Sequence, residues 1–594
     1  MSRNRFLTLA ALILLAGAAL RVAWLRADPP TYSVGIVWHD EGAWTHSARN
    51  QVLWGAWQTD RWNPVYLTPV FTGLEYVAFK VFGVGTWQAR SVPVASGLVA
   101  LAAMMMGLAA LWGSRVEDHG RRVALIGGAL LSVNFTWVMW NRAALMESTM
   151  TAFIVIAWAA YCTGERRPTW GLVAGVATVL AFFTKASAAF FVAAIVADAF
   201  WVIAADRLAG LRTKLGLTRP EEPLVRTAWL TLAGIGVAGL FIGLYFVIPY
   251  WHEVRFYNWQ MSVERKPSYT LMAFKDRASY LLVSHDFFSR MWFVVLGAVI
   301  AIAGIAARWR ESKPGERLLV LWVLIGFLEL IVHDAGNERR YVMFVPAIVA
   351  LASGLAGSGM VWLPAYFARP GWQQRALAAP LILLLGLIVV AAALRLVFHE
   401  DIAARHYSLT IRLSAAIVVG GTAIAMAFWQ QSTAWLAARR VPLAVGVTLA
   451  TILVAWDLGQ YARWAQSSSD LNYRASLALG VDLPPGTTVQ GKLANGLALE
   501  NRIRPIFVGR GFGNYEDRFD RNDARYILTY GLPAVGFESQ PGLIQEILDR
   551  YPNRRVIDRY QIDETPGADE AWLIEKSPPA TLTAAAPGHQ RAPD

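Results

Sequence analysis

FLTLAALILLAGAALRVAWL, residues 6–25, is the first of many apolar stretches in this chain. It reaches the roughly 20 residues that an α-helix needs to cross a bilayer. Arg3 and Arg5 precede it and it contains small residues near Ala16–Ala19, so a cleaved signal peptide is the alternative interpretation. The length of the stretch favours a retained anchor, and we expect the residues after it to continue a membrane domain.

The composition of the whole chain has the same apolar character. Of 594 residues, 56% are hydrophobic and 16% are charged, whereas soluble domains carry about 25% charged residues. A mean hydropathy of +0.38 over this length requires many apolar segments rather than one anchor. The 26 tryptophans suit the interfaces of a membrane. We therefore predict a mainly α, polytopic membrane protein.

The net charge of +12 does not by itself indicate a nucleic-acid partner, and we expect none. Most Lys and Arg residues fall in short loops between apolar stretches, where membrane topology accounts for them. The single cysteine, Cys162, lies inside an apolar run, so no intrachain disulfide can form. We expect Cys162 to be an inert packing residue.

Hydropathy predicts about thirteen transmembrane helices, at approximately 6–25, 88–113, 123–140, 148–163, 170–184, 186–204, 227–250, 291–307, 318–333, 341–358, 376–397, 408–429 and 441–460. With a cytoplasmic N-terminus, the inner loops would be 113–122, 164–169, 206–226, 308–317, 365–375 and 430–440. Each of these loops contains at least two Arg or Lys residues, as positive-inside topology requires. The odd number of spans then places the C-terminus outside, and we predict a multi-pass protein of the bacterial inner membrane.

The chain becomes polar from about residue 465. Short strands are expected at 525–530, 555–560 and 571–574, and an amphipathic helix at 541–551. The sequence thus predicts a transmembrane domain at 1–464, a small extracytoplasmic α/β domain at 465–576, and a disordered tail at 577–594 that is rich in Pro, Ala and Thr.

The first predicted outer loop contains His39-Asp40-Glu41. Residues 42–57 follow as an amphipathic helix suited to the membrane surface. An Asp at such a position can cap the helix. Capping explains only one of the two carboxylates, so we predict that the pair has a function.

Further charged residues lie at the predicted outer ends of other spans. Arg142 and Glu147 share a short loop and could simply pair with each other. Lys185 occupies a tight turn in an apolar context, where it must snorkel or bind an anion. Arg339 and Arg340 lie outside against the charge bias, which favours a ligand.

These cations and carboxylates would form one site if the loops converge. The planar guanidinium of Arg suits phosphate oxygens, and Lys adds a point charge. A carboxylate could then deprotonate a hydroxyl or amine as it attacks. The combination indicates group transfer from an amphiphile with a phosphate head group and a long tail.

The order of these motifs resembles a known family. The relevant stretches are His39-Asp40-Glu41-Gly42, Gly55-Ala56-Trp57, Val81-Phe82-Gly83, Ala89-Arg90, Asn141-Arg142 with Glu147, Gly171 and Gly175 with Thr184-Lys185, and Glu338-Arg339-Arg340-Tyr341 with Pro346. Together they resemble the GT-C superfamily of membrane glycosyltransferases, in particular the group (glycosyltransferase family 39-like) that includes protein O-mannosyltransferases, aminoarabinose transferases of lipid A and Rgt-like enzymes. The resemblance covers about residues 5–360, and the C-terminal domain matches no motif of the family.

The resemblance implies a GT-C fold, a polyprenyl-phosphate sugar donor and an inverting transfer. It implies that Asp40 is the catalytic base or orients the acceptor, while Glu41 supports the loop. Glu147 stands at the second acidic position, where many relatives carry Asp. The donor phosphate would be held by a set of cationic and polar residues, namely Arg142, Lys185, Arg339, Arg340 and Tyr341. No cofactor is certain, and a divalent cation held by Asp40 and Glu147 is left open.

Two other functions remain as alternatives. A transporter or flippase would place its ionisable residues near the middle of the spans, where Asp198, Glu329 and Asp457 are the main examples. A ligase that moves a whole lipid-linked glycan would use the same phosphate site. The acceptor could be a lipid, a protein or a cell-wall glycan. The C-terminal domain and the aromatic loop 251–290 are the candidate surfaces for binding it. We also expect the protein to contact membrane lipids.

Overall fold

The computed structural model describes residues 2–30, 34, 36–113, 117–210, 219–264, 287–288, 290–333, 338–358, 379, 382–387, 389–390, 409–427, 442–508, 514–515, 524–531, 549–563 and 570–576. The chain divides into two compact units. Unit 1 comprises Met1–Ala23, Tyr32–Ile36 and Pro93–Gln466, and unit 2 comprises Trp24–Thr31, Val37–Val92 and Ser467–Asp594.

Helices dominate the described residues. In chain order they are α1 (Arg3–Val22), α2 (His39–Trp54), α3 (Pro69–Phe82), α4 (Thr86–Trp112), α5 (Glu117–Val133), α6 (Phe135–Trp140), α7 (Met146–Gly164), α8 (Trp170–Thr184), α9 (Ala189–Arg207), α10 (Glu222–Ile242), α11 (Trp251–Trp259), α12 (Trp292–Ala307), α13 (Pro314–His333), α14 (Val345–Ser358), α15 (Leu409–Ala427), α16 (Leu443–Gln466), α17 (Leu471–Asp482) and α18 (Lys492–Gly496). The strands are β1 (Thr488–Gln490), β2 (Arg504–Ile506), β3 (Tyr526–Tyr530), β4 (Arg555–Gln561) and β5 (Glu570–Glu575).

The predicted fold class, mainly helical with a small C-terminal sheet, is confirmed. Helices occupy the predicted spans except 376–397, most of which lies outside the described residues. Among the described residues, six helical segments are long and apolar enough to cross a membrane, and α8 and α12 are shorter apolar helices. The count of thirteen spans stays a prediction.

One predicted span, 123–140, is two helices. The break is at Asn134, whose side chain accepts a hydrogen bond of 3.0 Å from the backbone N–H of Trp137. An Asn at this position caps the new helix by satisfying a backbone donor that has no partner within the helix. The interruption starts α6, which leads directly to the loop that carries Arg142.

Glycines bring α8 and α10 into close contact within unit 1. A Cβ atom at Gly175 would lie 2.3 Å from the backbone oxygen of Thr231, and one at Gly171 would lie 2.5 Å from that of Thr227. Small residues spaced four apart let two helices approach at this distance, as is common in membranes. The packing fixes α8, and α8 ends directly before Lys185.

Two charged residues inside predicted spans have partners in unit 1. Asp198 accepts hydrogen bonds from the guanidinium of Arg317 at 2.7 Å and from the hydroxyl of Tyr161 at 2.9 Å. Asp457 accepts one from the backbone N–H of Phe135 at 3.2 Å. A buried charge persists when it is paired and hydrogen-bonded, so helix packing accounts for both carboxylates.

Unit 2 contains a five-stranded sheet in the order β2-β1-β3-β5-β4. β1 pairs in parallel with β2 and β3, and β5 pairs antiparallel with β3 and β4. β3, β4 and β5 lie where strands were predicted, whereas β1 and β2 were not anticipated. Most of the predicted helix 541–551 and the whole predicted tail 577–594 lie outside the described residues, as does much of loop 251–290.

Helix α2 packs against the C-terminal part of unit 2. Trp38, the residue before α2, shares one hydrophobic core with Leu493, Leu497 and Leu528. Arg49 is buried and donates hydrogen bonds to three backbone carbonyls, those of Ala498 (3.1 Å), Asn501 (3.0 Å) and Ile503 (3.0 Å). Residues 37–92, which composition alone assigns to the membrane domain, thus share a compact unit with the C-terminal sheet.

The substitution Gly42→Ala tests this contact. A Cβ atom at Gly42 would lie 1.8 Å from the backbone oxygen of Asn495, so either α2 or the segment around α18 must move. Although Ala favours helix by about 1 kcal/mol over Gly, we expect overpacking of about 1–3 kcal/mol to prevail and to lower the melting temperature in detergent.

The matched control for Gly42→Ala is Gly73→Ala in α3. No atom of the described residues lies within 4 Å of a Cβ at Gly73, so this variant should melt at or slightly above the wild-type temperature. Equal melting temperatures for both variants would contradict the close contact of α2 with Asn495.

Candidate active site

A buried carboxylate links three elements of unit 1. Glu147 lies in the first turn of α7, and its side chain is 1% exposed. Its Oε1 accepts a hydrogen bond from the Nζ of Lys185 and lies 3.3 Å from the Nε of Arg339. Three segments that are distant in sequence thus meet at one oxygen atom, and the predicted convergence of these three residues is observed within unit 1.

Local structure aims both cations at Glu147. Lys185 ends α8 in an extended backbone conformation, with φ −159° and ψ 125°, and a 3₁₀ turn over Ala186–Ala188 follows it. Arg339 lies in another 3₁₀ segment, Glu338–Phe344, directly before α14. Neither residue sits inside a regular α-helix, so each side chain leaves the backbone next to a helix end.

The pKa of Lys185 is set by its burial and by its charged neighbours. Lys185 is 11% exposed, and its burial lowers the pKa to about 8. Arg339 and Arg340 lower this pKa further, while Glu147 raises it. Arg340 is therefore near enough to act on Lys185 electrostatically. Lys185 and Arg339 thus share the carboxylate of Glu147, and groups of this kind can also bind the oxygens of an anion.

Arg142, predicted to bind the donor phosphate, contacts the end of α1. Its guanidinium donates hydrogen bonds to the carbonyls of Leu20 (2.9 Å) and Arg21 (3.2 Å) and to that of Ala23, and lies 4.6 Å from the centre of the Trp464 ring. The last carbonyls of a helix lack partners within the helix, so Arg142 caps α1.

Tyr341 is likewise placed in a packing environment. It is 1% exposed, and its ring contacts those of Phe287, Phe288, Phe327 and Phe344 at centroid distances of 5.7–6.4 Å. Such edge-to-face and tilted contacts stabilise an aromatic core. The aromatic cluster supports the segment that presents Arg339 and Arg340.

The acidic pair at the start of α2 belongs to unit 2, and its two members differ. Glu41 is buried and accepts two hydrogen bonds from the guanidinium of Arg90, at 2.8 and 2.7 Å. Arg90 also donates to the carbonyls of Leu25 (2.8 Å) and Ala27 (2.7 Å). Asp40, in contrast, has a side chain that is 22% exposed. The exposed carboxylate of the pair is therefore Asp40, while Glu41 joins α2 to α4.

His39 stands beside Asp40 and contacts the C-terminal sheet of unit 2. Its Nε2 lies 3.7 Å from Oδ1 of Asp40, and its Nδ1 lies 2.8 Å from the hydroxyl of Tyr530 at the end of β3. The sequence did not indicate this contact, because nothing in a short strand marks one tyrosine as the partner of a residue nearly five hundred positions away.

Glu75 in α3 is an acidic residue of unit 2 that the sequence motifs did not indicate. Its side chain is fully buried, and neither carboxyl oxygen has a hydrogen-bond partner among the described residues. Burial raises its pKa well above the usual value, and the charge of Glu41 raises it further. The protonated form is thereby favoured, so Glu75 is a poor candidate for a base in this state.

The described residues contain no group of three His, Cys, Asp or Glu side chains placed to hold a metal ion. Asp40 and Glu147, the two ligands that the sequence suggested, belong to different compact units. A divalent cation at either residue stays a prediction from the sequence.

Comparison with known proteins agrees with the motifs. Residues 68–217 match the family model described as dolichyl-phosphate-mannose-protein mannosyltransferase. The matched residues include the second acidic motif and Lys185. Over these residues, the match confirms the resemblance that the motifs indicated. The rest of the chain lies outside this match. A comparison with curated protein sequences gave no match.

Several solved structures are distantly similar. ArnT from Cupriavidus metallidurans bound to undecaprenyl phosphate shares 17% identity over 96% of this chain and 97% of that chain, with a TM-score of 0.45. The Archaeoglobus fulgidus oligosaccharyltransferase tethered to an acceptor peptide shares 12% identity over 89% and 69%, with a TM-score of 0.41. Arabinosyltransferase EmbB from Mycobacterium smegmatis shares 14% over 75% and 42%, with a TM-score of 0.36.

The ion pair of Glu41 and Arg90 yields a stability prediction. Arg90→Ala leaves a carboxylate buried without its cation, which typically costs about 3–5 kcal/mol. We expect a large loss of thermal stability, measured by tryptophan fluorescence of the detergent-solubilised protein. The double variant Arg90→Ala/Glu41→Ala is the control, because it removes both charges and should lose less than Arg90→Ala alone. A double variant that is less stable than Arg90→Ala would overturn this interpretation.

Proposed function

We propose that the protein transfers a sugar from a polyprenyl-phosphate-linked donor to an extracytoplasmic acceptor, with inversion at the anomeric carbon. The cluster of Glu147, Lys185 and Arg339 carries this proposal, because it places two cations beside one buried carboxylate at the ends of apolar helices. A lipid tail requires the apolar surroundings, and a phosphate group requires the cations. Arg340 adds to the charge, as its effect on Lys185 indicates.

In this proposal Glu147 organises the phosphate site. A buried carboxylate that pairs with two cations holds their side chains in place before the donor arrives. Preorganised charges stabilise a transition state without a cost of rearrangement at the moment of reaction. Lys185 and Arg339 would then contact the phosphate oxygens and stabilise the negative charge that develops as the sugar leaves.

Asp40 is the proposed base. It is the exposed member of the acidic pair, and an ionised carboxylate can accept a proton from an attacking hydroxyl. The acceptor O–H bond breaks as its proton passes to Asp40, the acceptor oxygen bonds to the anomeric carbon, and the bond from that carbon to the phosphate oxygen breaks. The electron pair remains on the phosphate, which leaves without a strong acid. A single displacement of this kind inverts the configuration.

The substitution Asp40→Asn tests the base. Membranes that contain the native acceptor, supplied with labelled polyprenyl-phosphate sugars, should transfer label with the wild-type protein and at least about 100-fold more slowly with the variant. Binding of a polyprenyl phosphate should be unchanged, because the amide removes only the proton acceptor. Asp558→Asn, at an exposed position of β4, is the matched control and should transfer normally. Equal transfer by wild type and Asp40→Asn would show that Asp40 is not the base.

A second prediction concerns pH. The pKa of Lys185 is lowered to about 8 by burial, so its charge is complete below that value and is lost as the pH rises through it. Affinity for a polyprenyl phosphate should therefore decline above about pH 8, because free Lys185 must first take up a proton. Lys185→Arg keeps its charge at all these values and should remove the decline.

The control for the pH prediction is Lys80→Arg in α3, an exposed lysine that should leave the pH profile as in the wild type. Lys185→Ala should weaken binding at every pH. Unchanged polyprenyl phosphate affinity in Lys185→Ala would rule out Lys185 as part of the phosphate site.

A further inference from the structure

The ring of His39 is held from several sides within unit 2. The hydroxyl of Tyr530 lies 2.8 Å from its Nδ1, and the two rings meet edge to face at a centroid distance of 6.1 Å. The indole of Trp38 packs edge to face on it at 5.6 Å. The ring is 3% exposed, so these neighbours leave it little freedom to rotate.

The backbone of His39 is fixed as well. A Cβ atom at Gly496 would lie 2.8 Å from the Cβ of His39 and 2.8 Å from the indole of Trp38. Only glycine allows α18 to approach α2 so closely. Trp38 itself is anchored in the hydrophobic core that includes Leu497 and Leu528. The C-terminal part of unit 2 therefore determines where His39 lies.

The contact with Tyr530 is linked to which ring nitrogen of His39 carries the proton. Neutral histidine has one N–H donor and one acceptor nitrogen, and the hydrogen bond at one nitrogen sets the role of the other. If the hydroxyl of Tyr530 donates to Nδ1, the proton resides on Nε2. Nε2 faces Oδ1 of Asp40 at 3.7 Å, a distance that shortens to a hydrogen bond with a small movement, as often happens when an active site takes up its substrate.

We propose that Tyr530 and His39 are positioning residues for Asp40. Tyr530 donates to Nδ1 of His39, and the N–H at Nε2 then orients the Asp40 carboxylate towards the acceptor. The C-terminal sheet would thus take part in the reaction although it carries no reacting group. This inference rests on the proposed function, since it assumes that Asp40 is the base.

Tyr530→Phe is the first test, because it removes a single oxygen atom and keeps the ring contacts. With a labelled polyprenyl-phosphate sugar and native acceptor membranes, we expect kcat to fall about tenfold while the donor KM stays as in the wild type. Tyr526→Phe, on the same strand, is the matched control and should keep the wild-type kcat. A wild-type kcat for Tyr530→Phe, or an equal loss in the control, would overturn the proposal.

His39→Gln separates positioning from a merely structural role. The amide N–H₂ of glutamine can occupy the place of Nε2–H, and an amide has no second tautomer for Tyr530 to select. Adding Tyr530→Phe to His39→Gln should therefore change kcat by less than about twofold, against about tenfold in the wild-type background. A penalty of the same size in both backgrounds would show that Tyr530 acts through the fold and not through His39.

The same assays distinguish failure of this inference from failure of the proposed function. If Asp40→Asn abolishes transfer while Tyr530→Phe transfers at the wild-type rate, Asp40 stands as the base and the positioning role falls. If Asp40→Asn transfers normally, the base assignment falls, and the positioning role falls with it.

Discussion

A carboxylate that is almost completely buried must be paired, and in unit 1 this constraint determines the candidate phosphate site. Glu147 is 1% exposed at the start of α7, where desolvation would be costly without the two cations on its Oε1. The pairing ties α7 to the end of α8 and to the segment before α14. Glycine-mediated packing of α8 on α10 then fixes the backbone behind Lys185. Cations held this way are ordered before any ligand binds.

The same constraint acts in unit 2 and separates two adjacent carboxylates. Glu41 pairs with Arg90, which also donates a hydrogen bond to the carbonyl of Leu25, shortly after α1. Asp40, one residue earlier, remains partly exposed and next to His39. Although the two carboxylates are adjacent in sequence, Glu41 supports the fold and Asp40 is placed where it can meet a substrate. Arg49, buried among three backbone carbonyls, joins the same helix to the C-terminal segment.

Local patterns predicted the parts of the structure that depend on neighbours in sequence. Hydropathy located the long helices, and the polar C-terminal region showed the short strands β3, β4 and β5. An apolar context singled out Lys185, and charge against the topological bias singled out Arg339. The capping role of Arg142 could not be predicted, because its carbonyl partners lie about 120 residues earlier and depend on helix packing. The contact of His39 with Tyr530 was hidden for the same reason. The break at Asn134 has a signal in the sequence, because an Asn stands inside an apolar stretch, although hydropathy alone predicts one continuous span there.

Unit 2 is built from segments far apart in the sequence, and this has a consequence for biosynthesis. Its loop, residues 37–92, is made early, whereas the sheet against which α2 packs begins only after residue 466. Ribosomes add roughly 5–20 residues per second, so the loop waits about 20–75 s for its partner strands. During that interval Trp38 and the buried face of α2 have no core to enter. The apolar side of α2 therefore stays uncovered until the last fifth of the chain has been made, and a chain truncated before β3 would lack Leu528 and could not complete this core.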